Sequence, residues 1–397
     1  MQAVTEKERN SLGSDIALVV IFLMAIGTVF VFSAGANLSQ MFNLQKFYED
    51  PRLRQIAFFP LAVIVMYTVS LCNFRIFSFS KSCLRTPTFY LLVFSIALVT
   101  IVSAQRFFAF LPNLVPQINQ HFRWLKIPLG PATLSFQPSE LAKWSLVFFL
   151  AGFCSKYSDS LDLYWRRFVP LCIIIAVVVG LVITEDFGTA AFIALLGFLI
   201  LIISGVKFWY ILTLLPIGLA GFILALVGSP HRLERIWAFL NPEKWADTTA
   251  YQANQSLIAL SSGGLLGKGL GRGICKYGHL PEDTTDFIFA IIGEELGFVG
   301  TAAVIVLFIV FVWLGILVVV RCQDRLGQLL AGGIVLTIGI QAAINIGVVT
   351  VVLPTKGIPL PFVSSGGTSL LLSSVAVGVL LNIAKQSPKQ EPEETGQ

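Results

Sequence analysis

Residues 298–320 read FVGTAAVIVLFIVFVWLGILVVV, without one charged side chain. A helix needs about 20 apolar residues to cross the hydrocarbon core of a bilayer, and this stretch supplies them. Comparable runs fall at 16–34, 56–71, 88–105, 139–155, 168–184, 187–204, 209–228, 329–353 and 368–384. The whole 397-residue chain is 56% hydrophobic and 12% charged, with mean hydropathy +0.82. A water-soluble domain carries roughly twice that share of charge, about 25%, so lipid is the solvent for most of the outer surface. The fold class is all-α: a polytopic membrane protein with about ten transmembrane helices.

Orientation follows from the basic residues of the short connections. Lys7, Arg9, Arg75, Lys81, Arg85, Lys156, Arg166, Arg167, Lys207, Arg321, Arg325, Lys385 and Lys389 fall on one side if both termini are cytoplasmic, as the positive-inside rule requires. Residues 1–15 then form a cytoplasmic tail, 16–384 the membrane domain, and 385–397, rich in Gln, Glu, Pro and Lys, a disordered tail. The first apolar run is read as a retained span rather than a cleaved signal. The opposite side holds two longer connections, about 106–138 and 229–297. Among the six cysteines no metal-ligand spacing occurs, and all are read as side-chain filler. A net charge of +5 without a basic tract gives no reason to expect nucleic acid.

Residues 251–300 carry the densest pattern. Gly263, Gly264, Gly267, Gly269, Gly271 and Gly273 are interleaved with Lys268 and Arg272. Glycines let backbone N–H groups approach a ligand, and the cations favour an anion; a tightly turning surface loop is the plainer alternative. Asp286 follows, with Glu282 and Asp283 beside it and an apolar stretch after it. A carboxyl at a membrane boundary against an apolar wall has a raised pKa and can act as a base; capping the next helix through Thr285 or Asp286 is the alternative. Glu294 and Glu295 are functional candidates or members of structural ion pairs. On the same outer side lie Arg123, Arg232, Arg235, Lys244 and Lys276, cations that together suit a diphosphate and singly suit solvent or lipid headgroups. Glu140 and Lys143, spaced for one helix face, and Asp186 are charges inside the membrane region, read as mutual partners more readily than as catalysts. Pro354, Pro359 and Pro361 stiffen an outer loop, and the small residues after Val363 open the last span.

These stretches, in this order, resemble the SEDS family (shape, elongation, division and sporulation) along nearly the whole chain. The residues that carry the resemblance are Asn119 with Arg123-Trp124, Gln137 to Lys143, Asp186 with Gly188-Thr189, Arg232, Arg235, Phe239-Leu240 and Tyr251-Gln252. The glycine loop, Leu280-Pro281-Glu282, Thr285-Asp286-Phe287, Glu294 to Gly297, Asn345 and Pro354 to Gly357 complete it. The form of Ile292 to Glu295 and of Pro354 to Gly357 is similar to the division branch, FtsW, while Ile358 to Pro361 is closer to the elongation branch, RodA. The chain departs from the family pattern at Gln120-His121-Phe122 (usually Gly-Ala-Arg), at Thr284 (usually histidine) and at Ser365 (usually tyrosine).

The resemblance implies a peptidoglycan glycosyltransferase of the bacterial cytoplasmic membrane, at the division septum, that polymerises lipid II and releases undecaprenyl diphosphate. It implies Asp286 as the base, with Arg123, Arg232, Lys268, Arg272 and Lys276 as candidate contacts to the diphosphate and Glu140, Lys143 and Asp186 in support. No cofactor is called for with certainty; a divalent cation, Mg2+ or Mn2+, bridging phosphate oxygens is an option the chemistry leaves open. The implied partners are a class B penicillin-binding transpeptidase and other division proteins. A lipid II flippase, an elongation polymerase and a scaffold with a decayed site are the competing functions; a transporter would place its site near the midplane, often between repeated halves, and no repeat is evident.

Overall fold

The computed structural model describes residues 2–35, 51–79, 86–106, 114–117, 121–129, 132–246, 248–277, 280–282 and 284–386. Asn119, Gln120, Asp283, Lys81, Cys83, Arg85 and most of the expected C-terminal tail, 387–397, lie outside the described residues. A helix occupies each apolar run: α1 (Gln2–Ala34), α2 (Pro51–Leu71), α3 (Pro87–Ala104), α4 (Pro138–Lys156), α5 (Val169–Val182), α6 (Phe187–Ile203) and α7 (Phe208–Val227) in the first part of the chain. After α8 (Pro230–Leu240) and α9 (Tyr251–Gly263) come α10 (Ile288–Arg321), α11 (Arg325–Val349) and α12 (Gly367–Gln386). Among the described residues eight stretches are long and apolar enough to cross a membrane: they lie in α1, α2, α3, α7, α10, α11 and α12, and in Tyr164–Val182, where a π-helical turn, Tyr164–Phe168, runs into α5. Of the other two expected spans, α6 is shorter at 17 residues, and α4 carries Glu140, Lys143 and Lys156.

The structure explains why α4 tolerates charge. It lies inside the bundle, packed on α3, α6, α11 and α12, and is buried along nearly its whole length. Its charges face protein, where they can pair, and not lipid. By contrast α7 buries only Ile211 and sits at the periphery. Residues 2–15 are helical: α1 begins at Gln2 and runs unbroken into the first span, Ser11–Ala34.

The two ends of the bundle are built differently. At one end Asn382 Nδ2 donates to Ser70 O (2.9 Å), Arg325 Nη2 donates to Ser204 O (3.0 Å), and Lys207 pairs with Asp162 (2.9 Å). The other end holds the longer connections, and neither is an open loop. The first contains an antiparallel hairpin, β1 (Leu125–Leu129) and β2 (Ala132–Phe136), with Leu125 opposite Phe136; strand was not expected there. Within 229–297 the chain forms α8, α9 and the first turns of α10, so the apolar run at 298–320 is only the second part of a longer helix.

That helix is broken at Gly297, whose φ of 67° and ψ of −159° are not helical. The break frees two carbonyls and two amides, which at membrane depth must find partners inside the protein. The glycine loop provides them. Lys268 N donates to Glu294 O and Gly269 N to Glu295 O, both at 3.0 Å, while Phe298 N donates to Gly264 O (2.9 Å) and Val299 N to Leu265 O (3.2 Å). A Cβ on Gly267 would stand 2.1 Å from Glu295 O, and one on Gly297 2.4 Å from Gly267 N. The two backbones meet because both positions lack side chains.

Candidate active site

Asp286 sits in the turn that leads into α10. Phe287, without any side-chain cap, occupies the N-cap position, so capping does not account for the aspartate. Its backbone is held from three sides. Asn345 Nδ2 on α11 donates to Asp286 O at 2.8 Å; Ser365 N, just before α12, donates to Thr284 O at 2.9 Å; and Ser364 Oγ donates to Thr285 O. The Asp286 carboxylate lies against the 353–363 loop, with Oδ2 2.8 Å from where a Cβ on Gly357 would be. Glycine at 357 is what makes room for it.

Around this carboxyl the structure gathers charge from distant segments. Asp186 caps α6 by accepting from Thr189 N (3.0 Å), and its other oxygen lies 3.6 Å from Arg123 Nη1. Arg123 Nε donates to Glu185 O (2.9 Å). Glu185 in turn accepts from Phe122 N (2.8 Å) and Arg106 Nη1 (3.3 Å), with His121 Nδ1 3.6 Å away. Burial, then Glu282 and Asp186, push the Asp286 carboxyl up to about 7, against the opposing pull of Arg123 and Arg235. A proton acceptor poised near neutral pH is the property general-base catalysis needs.

Two cations meet over one ring. The Lys356 ammonium lies 3.8 Å from the centre of Phe187, and the Arg232 guanidinium 4.8 Å from it, an arrangement that offsets part of their desolvation. Arg232 also donates to Ala225 O (2.7 Å) and Ile183 O (2.9 Å), fastening α8 to the ends of α5 and α7. Burial and the nearby Arg235 bring Lys356 down to about 8, and burial likewise lowers Arg235. Arg235 and Lys356 therefore join Asp286, Arg123, Arg232 and Asp186. Sequence reading placed Arg235 among the outer cations that together suit a diphosphate, and Lys356 in a family motif without a role; the signal for Lys356 was the pairing of a lysine with glycine in a proline-stiffened loop.

Lys268 and Lys276, expected as substrate contacts, are both engaged in ion pairs with α10. Lys268 Nζ pairs with Glu294 at 2.7 Å, and Glu294 also accepts from Ile274 N (2.8 Å) and Cys275 N (3.1 Å). Lys276 is fully buried, pairing with Glu295 at 2.8 Å and donating to Gly271 O and Ser33 Oγ. Both lysines are spent fastening the glycine loop to α10 and α1, about 12 Å along the helix from Asp286 at 1.5 Å per residue. Arg272 is exposed on that same loop. Glu140 and Lys143 do pair, at 2.8 Å, and Lys143 Nζ also donates to Gln341 Oε1 at 2.9 Å. Among the described residues no group of three or more His, Cys, Asp or Glu side chains is placed to hold a metal ion.

Fold and site thus define a multi-pass membrane protein with a half-buried carboxyl and several cations gathered at one end of the bundle. The sequence model of the cell cycle proteins, the group uniting FtsW, RodA and SpoVE, matches residues 14–389, and the chain belongs to that family. Stage V sporulation protein E of Bacillus subtilis is 35% identical over 379 residues, covering 94% of this chain and 97% of that protein. A probable peptidoglycan glycosyltransferase FtsW of Coxiella burnetii is 33% identical over 378 residues, covering 94% and 96%. Among solved structures, a chain of a peptidoglycan synthase complex that coordinates polymerization and crosslinking superposes with TM-score 0.70 at 23% identity, covering 93% of this chain and 96% of that one. The rod shape determining protein RodA of Thermus thermophilus gives 0.62 at 22% identity, covering 94% and 96%.

Proposed function

We propose that this protein is a peptidoglycan glycosyltransferase that polymerises lipid II on the outer face of the bacterial cytoplasmic membrane, for septal wall synthesis, beside a class B penicillin-binding transpeptidase. The observation that carries the reading is the Asp286 carboxyl, raised to about 7 and set among Arg123, Arg232, Arg235 and Lys356. Glycosyl transfer to a sugar hydroxyl needs such a base and such cations. The hydroxyl oxygen bonds to the anomeric carbon of the donor as its proton passes to an Asp286 oxygen. The bond from that carbon to the diphosphate oxygen breaks, and its electron pair leaves with undecaprenyl diphosphate. Cations fixed beforehand in a water-poor site stabilise the charge that develops on the leaving group, and arginine forks match phosphate oxygens. Asp186 holds Arg123 in place for that task. A divalent cation bound with the substrate diphosphate would supply charge neutralisation of the leaving group.

The test is polymerisation of lipid II by the purified protein, with and without its transpeptidase. Wild type should give glycan ladders and Asp286→Ala none, at equal levels of folded protein. Ladders from Asp286→Ala at the wild-type rate would remove the assignment of the base. Leaflet translocation of labelled lipid II without ladders would replace the polymerase by a flippase.

A further inference from the structure

The Glu140–Lys143 pair lies on α4 and Asp286 in the turn before α10, yet one face of α11 connects them. Gln341 and Asn345, one turn apart, are both buried. Gln341 Oε1 accepts from Lys143 Nζ (2.9 Å) and its Nε2 donates to Pro359 O (2.9 Å). Asn345 Nδ2 donates to two carbonyls, Asp286 O and Ile358 O, each at 2.8 Å. The two amides hold consecutive carbonyls of the loop that carries Lys356 and Gly357, and Asn345 ties that loop to the residue bearing the carboxyl. Its own Oδ1 is buried without a partner. Leaving a buried acceptor unpaired is unfavourable, and turning the amide over would set oxygen against two carbonyls. The forked N–H2 is what the position uses.

We infer that Asn345 is a positioning residue: by fixing the backbone of Asp286 to that of Ile358 it sets the carboxylate against Gly357, and Gln341 extends the same hold to Lys143. The inference rests on the glycosyltransferase reading for its catalytic consequence and on hydrogen bonds alone for its structural one. The groups that act on Asp286 are Glu282 on its own turn, Asp186 at the start of α6, Arg123 before the hairpin and Arg235 on α8. Asn345 carries no charge, so its removal acts on Asp286 only through packing and access of water.

The experiment uses full-length protein in lipid nanodiscs, comparing wild type, Asn345→Ala and Asn345→Asp. Hydrogen exchange reads the structural part: Asn345→Ala should raise exchange in 284–287 and 356–360 with the rest of α11 unchanged, and Asn345→Asp, which puts oxygens against both carbonyls, should raise it more. Unchanged exchange in both segments would overturn the inference whatever the activity. Polymerisation reads the catalytic part: kcat should fall about tenfold or more with KM for lipid II within about threefold, the scale expected when a reacting group is displaced without loss of binding. The acid limb of the rate should also move below that of wild type, because a loosened Asp286 gains water. A fall in rate with the limb unmoved would mark Asn345 as merely structural. Absence of ladders from wild type would sink the glycosyltransferase reading and leave the exchange result standing.

Discussion

A carboxyl that releases its proton only near pH 7 opposes folding while it serves chemistry. In the unfolded chain an aspartate ionises near 3.9. Between that value and about 7 the unfolded state binds fewer protons than the folded one, so stability falls as pH rises through this window. Asp286→Asn, which stays neutral, should therefore melt at a higher temperature than wild type at pH 8, with the difference gone below pH 4, while polymerisation falls by 10²–10⁴-fold, the range for removing a general base. Thermal unfolding in detergent at the two pH values checks this. The free-enzyme profile of kcat/KM should be bell-shaped, rising through about 7 as Asp286 ionises and falling near 8 as Lys356 loses its proton. Lys356→Arg, charged throughout, should keep activity at pH 9 and abolish the falling limb; a limb that stays would mean that Lys356 does not face the leaving group. The aspartate was legible in the sequence because it follows two acidic neighbours at the edge of an apolar run. The upward shift was expected from its place against an apolar wall; the charges that tune it were not, since Asp186, Arg123 and Arg235 reach it from segments 50 or more residues away.

Elements position these residues, and the kinked α10 with its glycine loop governs the outer half. Sequence suggested that the loop's amides and lysines faced an anion. The same glycines instead bring two backbones together, a distinction composition cannot make, because a ligand and a broken helix both ask for free N–H groups without side chains. The partners of the lysines were equally hidden: Lys276 and Glu295 are separated by 19 residues, a spacing no helix periodicity encodes. Lys276→Met should lose about 3–5 kcal/mol, the scale for stranding one member of a buried pair, and Lys276→Met with Glu295→Leu should regain most of it. Were Lys276 a substrate contact, the single variant would stay as stable as wild type and lose binding of lipid II. Gly297→Ala faces a left-handed φ and a clash with Gly267, so at least ~2 kcal/mol of stability should go, read as a lower melting temperature.

At the scale of the whole molecule the apolar runs were legible because each is long and bounded by charge, and the inside-to-outside order followed from the lysines and arginines. What escaped was the interior of the outer connections: α8 and α9 are too polar to register as spans, and the hairpin lies in a stretch without alternation strong enough to mark strands. The chemistry nevertheless depends on that order, because the sugar and diphosphate must meet Asp286 on the side of the membrane where glycan grows. Two exposed residues separate the faces. Asp159 lies beyond the end of α4, at the end where Lys207 meets Asp162, and Lys244 lies in the short turn after α8, at the end that carries Arg232 and Asp286. With the native cysteines replaced, Lys244→Cys should react with an impermeant maleimide added to intact spheroplasts, and Asp159→Cys only after the membrane is opened. The reverse pattern would put Asp286 in the cytoplasm, and an α10 kink braced by Glu294, Glu295 and Ser33 would then present the carboxyl and its cations to a compartment where no glycan strand is extended. Equal reaction of both before lysis would mean that the vesicle barrier had failed, so a cytosolic enzyme retained in the same spheroplasts fixes the reading.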